Sequence, residues 1–328
     1  MTSTSNEQKV VKEVKDKKIL QQLSGLGPVL ALIVLALITT VMNPSFLDPN
    51  NLLNLLRQVS INGLIAFGMT FVILTGGIDL SVGAILALTP ALSAMMITSG
   101  VPTLIAMLIG IIFGGLLGGL NGLIITKGGA APFIASLATM TIFRGATYVF
   151  TNGNPITSKA MNNSFIFQFI GRGYFFGIPV PVIIMLISFF ILYILLHKMT
   201  FGRKTYALGG NEKAAFVSGI KVNITKTWIY VISGIMSSAA GMILISRLSS
   251  AQPDAGTGFE MDAIAAVVLG GTSLAGGRGR IFGTLIGALI IGTLNNGMNL
   301  IGISSFYQQI VKGIVIIIAV LLDRRKKA

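Results

Sequence analysis

Long apolar runs separated by short polar stretches dominate the chain. A lysine-rich segment, residues 1–25, comes first. The pattern then predicts ten membrane-crossing helices, near 26–42, 51–76, 78–99, 102–126, 132–151, 180–198, 226–248, 259–275, 281–300 and 305–323. An apolar helix needs roughly 20 residues to cross a bilayer, which most of these runs supply. Segment 51–76 is long and polar at its start, and 259–275 is short. No small-residue cleavage pattern follows the first run, only Asn43-Pro44-Ser45-Phe46, so it reads as a retained span rather than a signal peptide. The expected organisation is a tail at 1–25, an all-α transmembrane domain of ten helices at 26–323 and a basic tail at 324–328. Two hydrophilic connections are long, 152–179 and 199–225, and neither has room for a catalytic domain.

Composition sharpens this picture. Of 328 residues, 53% are hydrophobic and only 10% charged, against about 25% charged in an ordinary soluble domain. So little charge cannot clothe a water-soluble surface, which argues against soluble enzymes and nucleic-acid binders. The net charge of +14 is explained by its placement. Lys9, Lys12, Lys15, Lys17 and Lys18 precede the first span, and Arg324, Arg325, Lys326 and Lys327 follow the last. An even number of spans puts both termini in the cytoplasm. Eighteen Lys and Arg then fall on the cytoplasmic side, and four, Arg57, Lys159, Arg172 and Arg247, on the outer side. That asymmetry is the positive-inside signature. The chain has no cysteine and one histidine, His197, which removes thiol chemistry, disulfides and histidine metal cages. No G-x-x-x-x-G-K-[ST] occurs, so ATP would have to be bound by another subunit.

Several residues depart from plain span chemistry. Gly76-Gly77-x-x-Leu80-x-x-Gly83 recurs as Gly270-Gly271-x-x-Leu274-x-x-Gly277, and Leu120-Asn121-Gly122 has an echo in Leu294-Asn295-Asn296-Gly297. Glycine-interrupted spans in two weakly repeated halves point to a transport pathway. Asp79 lies in the first break. It either caps the following helix or takes part in gating or solute contact. Arg144 lies within a span and either snorkels to the outer interface or meets a buried carboxylate or an aqueous cavity; Lys312 in the last span is similar. Glu260 and Asp262 open a helix, where the helix dipole favours them. Asn62, Asn121, Asn295, Asn296 and Asn299 supply neutral amides, suited to a polyol or to hydrogen bonds between helices. Gly110, Gly114, Gly118 and Gly122, four apart, give one helix a face for close packing, within the subunit or against a second copy.

The cytoplasmic stretch Gly209-Gly210-Asn211-Glu212-Lys213-Ala214-Ala215-Phe216-Val217-Ser218-Gly219-Ile220 reads as a short helix with Asn211 as its cap and Gly219 at its end. Ala214, Ala215, Phe216 and Ile220 would form a small apolar patch for a cytoplasmic partner.

That stretch resembles the coupling loop of membrane subunits from ATP-binding-cassette importers, whose pattern is E-A-A-x-x-x-G. Glu212, Ala214, Ala215 and Gly219 match it, with Lys213 intruding. The resemblance extends over nearly all of the chain after residue 40 and is to the monosaccharide branch of that family. It rests on GMTFVILTGGIDLSVGA (68–84), YALGGNEKAAFVSGI (206–220), RLSSAQPDAGTGFEMDAIAAVVLGGTSLAGG (247–277) and GTLIGALIIGTLNNGMNLIG (283–302). It implies a permease in a bacterial plasma membrane that binds no cofactor itself. A partner ATPase would consume ATP and Mg²⁺, an extracytoplasmic sugar-binding protein would deliver the cargo, and a second copy would complete the pathway. Ribose is the implied sugar, with xylose, galactose, a quorum-signal sugar or a nucleoside as alternatives. An ion-coupled sugar transporter or a scaffolding membrane protein are the rival classes. The coupling residues would be Asn211, Glu212, Ala214, Ala215 and Gly219, within the loop 199–225. Candidate pathway or gating residues are Gly76, Gly77, Asp79, Asn121, Arg144, Gly270, Gly271, Asn295 and Asn296.

Overall fold

A computed structural model describes residues 27–325, with side chains to Leu321; the tails at 1–25 and 326–328 lie outside the described residues. A helix occupies each of the ten expected segments: α1 (Gly27–Met42), α2 (Pro49–Leu74), α3 (Val82–Thr98), α4 (Thr103–Thr126), α5 (Pro132–Thr151), α8 (Val180–His197), α11 (Val222–Leu248), α12 (Phe259–Leu269), α13 (Ile281–Leu300) and α14 (Ser305–Arg325). The 152–179 connection carries α6 (Lys159–Asn163), α7 (Phe165–Arg172) and a small antiparallel pair, β1 (Tyr174–Phe175) and β2 (Ile178–Pro179). The 199–225 connection carries α9 (Thr200–Gly210) and α10 (Glu212–Val217).

By length and composition α2, α4, α5, α8, α11 and α13 can cross a membrane, while α1, α3 and α14 are shorter apolar helices. The segment expected at 259–275 is different. Its helix stops at Leu269 after 11 residues, about 16 Å at 1.5 Å per residue, half of a hydrocarbon layer about 30 Å thick. The segment expected from 78 likewise begins its helix only at Val82. Irregular backbone therefore enters the bundle at 75–81 and 270–280, and the 249–258 stretch also reaches in beside α3. Gly256 packs on Gly83 in the first turn of α3, about 22 Å along that helix from its Thr98 end. Such backbone is tolerated at depth only where protein covers it or a water-filled cavity meets it; Asp79, Leu80, Ser81, Ser250, Ala251 and Gly256 are buried, while Gly76, Asp254 and Thr257 are exposed.

The helix starts follow from local chemistry. Asp48 caps α2, its carboxylate accepting from the Asn50 N–H at 2.8 Å with Pro49 at the first helical position. Ser158 and Ser164 cap α6 and α7 in the same way. α2 is the central strut: every residue from Val59 to Leu74 is buried, as befits a helix that is apolar all round. α11, α13, α12 and α8 surround it. Large apolar side chains on the outside, such as Ile112 at 62% exposed, Ile134 at 65% and Ile191 at 60%, suit lipid rather than water.

The glycine face of α4 packs on α11 within the same chain. A Cβ at Gly118 would strike the Tyr230 carbonyl, one at Gly114 would sit 2.8 Å from the Gly234 carbonyl, and one at Gly122 would sit 2.7 Å from the Thr227 Cα. Overpacking a close-fitted interface costs about 1–3 kcal/mol. Gly118→Val is therefore expected to lower the melting temperature of the detergent-solubilised protein. Gly145→Val on α5, where an added Cβ meets nothing within 4 Å, serves as the comparison, and equal melting temperatures would refute the packing role.

Candidate functional site

Three groups of residues stand out once the helices are placed. The first is built on Asp79. Its side chain is wholly buried. One oxygen accepts from the Ser81 hydroxyl at 2.6 Å and the Ser81 N–H at 3.1 Å; the other accepts from the Ser233 hydroxyl at 2.9 Å. Asn121 donates to the Ser81 hydroxyl at 2.7 Å and reaches Asp79 at 3.4 Å, while its own carbonyl takes the Thr139 hydroxyl at 2.6 Å. The bond to the Ser81 N–H is the turn that precedes α3. The remaining bonds tie the break before α3 to α4, α5 and α11. Ser81, Thr139 and Ser233 escape sequence reasoning because a serine or threonine in a span is unremarkable until its partner is known.

The second group is the pair of glycine breaks. α2 ends at Leu74 with Thr75 as C-cap and Gly76 at φ 76°; α12 ends at Leu269 with Gly270 as C-cap and Gly271 at φ 88°. Both are left-handed helix ends, which glycine adopts without strain. Gly76 is thus the structural counterpart of Gly271. The match of the two Gly-Gly pairs along the sequence is offset by one residue, because conformation marks the second glycine of one copy and the first of the other. Gly77 lets Tyr230 approach, since a Cβ there would lie 2.8 Å from its hydroxyl, and Gly270 lies against Gly283 of α13.

The two breaks touch. The Gly277 N–H donates to the Leu74 carbonyl at 2.9 Å, and a Cβ at Gly276 would sit 2.9 Å from the Gly76 nitrogen and 3.0 Å from the Gly209 carbonyl. Tyr206 of α9 adds a hydrogen bond to the Gly279 carbonyl at 2.8 Å. Burial raises that phenol above its ordinary range, which keeps it a donor. The end of α9 therefore rests on both breaks at once.

The third group is α10, which follows α9 directly. The Asn211 side chain caps it by accepting from the Ala214 N–H at 3.0 Å. Glu212 pairs with Lys226 of α11 at 2.6 Å. Gly219, at φ 82°, closes the helix end. The expected apolar patch is distributed differently. Ala215 is buried against Leu208 and Val222, with Ile220 beside them, whereas Phe216 and Val217 are 70% and 85% exposed. Ala214 is exposed. On a single turn of helix only one side can face the protein, and Ala215 takes it.

Arg144 makes no direct ion pair but lies close enough to Glu260 and Asp254 to feel their charge. It donates to the carbonyls of Pro253 at 3.0 Å, Ala255 at 2.6 Å and Gly83 at 3.3 Å, clamping the irregular 249–258 stretch to the start of α3. Asn296 exchanges two hydrogen bonds with Asn51, at 2.8 and 3.0 Å, joining α13 to α2. Asn295, its neighbour, lines a cavity of about 330 Å³ together with Asp262 and Lys312, which are paired at 2.9 Å. That ion pair joins α12 to α14 and was visible in the sequence only as two separate charges. No group of three or more metal-ligating side chains occurs among the described residues.

Comparison with known proteins supplies the wider context. Residues 51–320 match the family model described as branched-chain amino acid transport system, permease component. The chain is 70% identical over 303 residues to the ribose import permease protein RbsC of Bacillus subtilis, covering 92% of this chain and 94% of that protein. It is 52% identical over 298 residues to the ribose import permease protein RbsC of Escherichia coli K12, covering 91% and 93%. It is 45% identical over 295 residues to the D-allose transport system permease protein AlsC of the same strain, covering 89% of each. No solved structure matches. The relatives are membrane components of transport systems rather than enzymes, and the helical breaks, the apolar exterior and the matched span agree with them: the chain belongs to this family of transport permeases.

Proposed function

We propose that the chain is the permease subunit of an ATP-driven ribose importer, with ten membrane-embedded helices and both termini in the cytoplasm. In this reading 199–225 is the cytoplasmic coupling loop and 152–179 and 249–258 face outward. A separate ATPase, which uses ATP and Mg²⁺, docks on α10; a sugar-binding protein docks on the outer side; two copies of the chain enclose the pathway. The observation that carries the reading is the seating of α9 and α10. α10 presents Phe216 and Val217 to the cytoplasm, and α9 rests on both glycine breaks, so a push on α10 is delivered to the starts of α3 and α13. Nucleotide then biases an equilibrium between outward-open and inward-open arrangements, a shift of populations. The ribose assignment is supported by the 70% identity to a ribose import permease.

Labelled ribose uptake in a permease-deleted strain tests this, with the chain supplied beside its own ATPase and binding protein. Uptake restored, and suppressed by unlabelled ribose but not by xylose, galactose or allose, is the expected result. Restored uptake of another sugar with none of ribose overturns the assignment. Uptake that survives ATP depletion but collapses with a protonophore overturns the ATP-driven mechanism.

A further inference from the structure

The cavity beside Asn295 is not explained by helix packing. Five helices meet around it, and each contributes a polar group: Gln58 and Asn62 from α2, Arg247 from α11, Asp262 from α12, Asn295 from α13 and Lys312 from α14. Asn62 and Asn295 are each only 4% exposed. The Asn295 Oδ1 is buried and accepts no hydrogen bond. A buried polar atom left unpaired costs about 1–3 kcal/mol. An orphaned amide oxygen beside a polar cavity is a standing liability in a site with only structural duties. Elsewhere in the same bundle the amides are fully engaged, Asn121 with Ser81 and Thr139 and Asn296 with Asn51.

The lining has the chemistry of a polyol site. Amides both donate and accept, the carboxylate of Asp262 accepts, and the Lys312 ammonium and Arg247 guanidinium donate. A sugar hydroxyl does both, so a ring bearing several can satisfy this set in more than one pose. The volume, about 330 Å³, lies at the small end of the roughly 300–1,000 Å³ range of ligand pockets. One sugar ring fits that space. The cavity lining includes Arg247 and Leu248 at the end of α11 that leads into the 249–258 stretch, and Phe259 and Asp262 at the start of α12 that follows it, the side from which cargo would arrive in the proposed orientation.

We propose that this cavity is a transit site through which a single neutral sugar ring passes, held loosely by Asn62, Asn295 and the Asp262–Lys312 pair. The proposal rests on the reading of the chain as a sugar permease and adds the place where the permease itself touches its cargo. Water fills the same hydrogen bonds when no sugar is present. Because Asp262 and Lys312 join α12 to α14, hydroxyls that compete for them loosen that link as the ring moves inward.

The chain has no cysteine, which makes the test direct. Gln58→Cys and Gln308→Cys, two partly exposed positions on the cavity wall, each place one thiol there. The assembled importer, with ATPase and binding protein, is reconstituted in liposomes and treated from outside with a charged methanethiosulfonate reagent. The cysteine-free permease receives the same treatment to correct for reaction of the other subunits. Uptake of the transported sugar and ATP hydrolysis stimulated by the sugar-loaded binding protein are both measured, as the ratio of labelled to unlabelled protein. The expected result is a fall in uptake of at least about tenfold, equivalent to about 1.4 kcal/mol, with stimulated hydrolysis within about twofold of its unlabelled value. Full labelling at both positions with unchanged uptake overturns the proposal. Loss of uptake and hydrolysis together also overturns it, because it assigns this region to docking. Should the unlabelled importer carry some other sugar and not ribose, the ribose reading fails while the labelling ratio, measured with that sugar, still decides the cavity.

Discussion

Replacing Phe216 and Val217 together by glutamate is expected to abolish uptake while the protein still accumulates in the membrane. Both side chains are mostly exposed on α10, so the fold loses little when they change. An ATPase docked on α10 would bury them. Well-packed apolar anchors at an interface are commonly worth about 2 kcal/mol each, and every 1.4 kcal/mol is tenfold in affinity. Losing both, and adding two charges, should weaken docking by about a hundredfold or more. The measurement is co-purification of the ATPase with the permease, alongside uptake. Undiminished co-purification would remove α10 from the interface. Ala215→Glu is a poorer test, although the coupling pattern singles that residue out. Ala215 fills the space between Leu208 and Val222, and a charge there would dislodge α10 from α9 before any partner is involved.

The second large effect is expected at Asp79. Asp79→Ala leaves the Ser81 hydroxyl, the Ser81 N–H and the Ser233 hydroxyl without their acceptor in a site no water reaches. At about 1–3 kcal/mol for each stranded group, the loss approaches the whole stability of a domain, about 5–15 kcal/mol. The variant should fail to accumulate. Asp79→Asn keeps one carbonyl oxygen for Ser81 and offers an N–H₂ group to Ser233, whose hydroxyl can accept instead of donate. It should accumulate normally and retain most uptake. Membrane levels and uptake of the two variants, compared side by side, check this. An Asn variant that accumulates normally yet transports nothing would mean that the carboxylate does more than join helices.

How much of this was legible beforehand depends on whether the signal was local. The apolar runs placed a helix in every expected segment. Asn211 and Gly219 marked both ends of α10, because capping chemistry is written within a few residues. The length of α12 was not legible: Gly270 and Gly271 sit in an apolar run, and composition does not reveal where a backbone turns left-handed. The register of the repeat was misleading for the same reason. The partners of Asp79 lie up to 154 residues away, and nothing at Ser233 announces the pairing. Asp262 and Lys312 each had a sufficient local explanation, a helix dipole for one and an interfacial reach for the other. Only the packing of α12 on α14 joins them.

The shortness of α12 bears on how the protein is made. Eleven residues, with Glu260 and Asp262 in the first turn, are a poor signal for the insertion machinery, since crossing a bilayer takes roughly 20 apolar residues. The counter-charge for Asp262 is Lys312, fifty residues further along the chain. α12 therefore gains its counter-charge only once α14 has been made, and until then its support comes from its packing on α2 and α13. The ion pair that lines the cavity in the finished permease is thus a contact that only the last helix can complete.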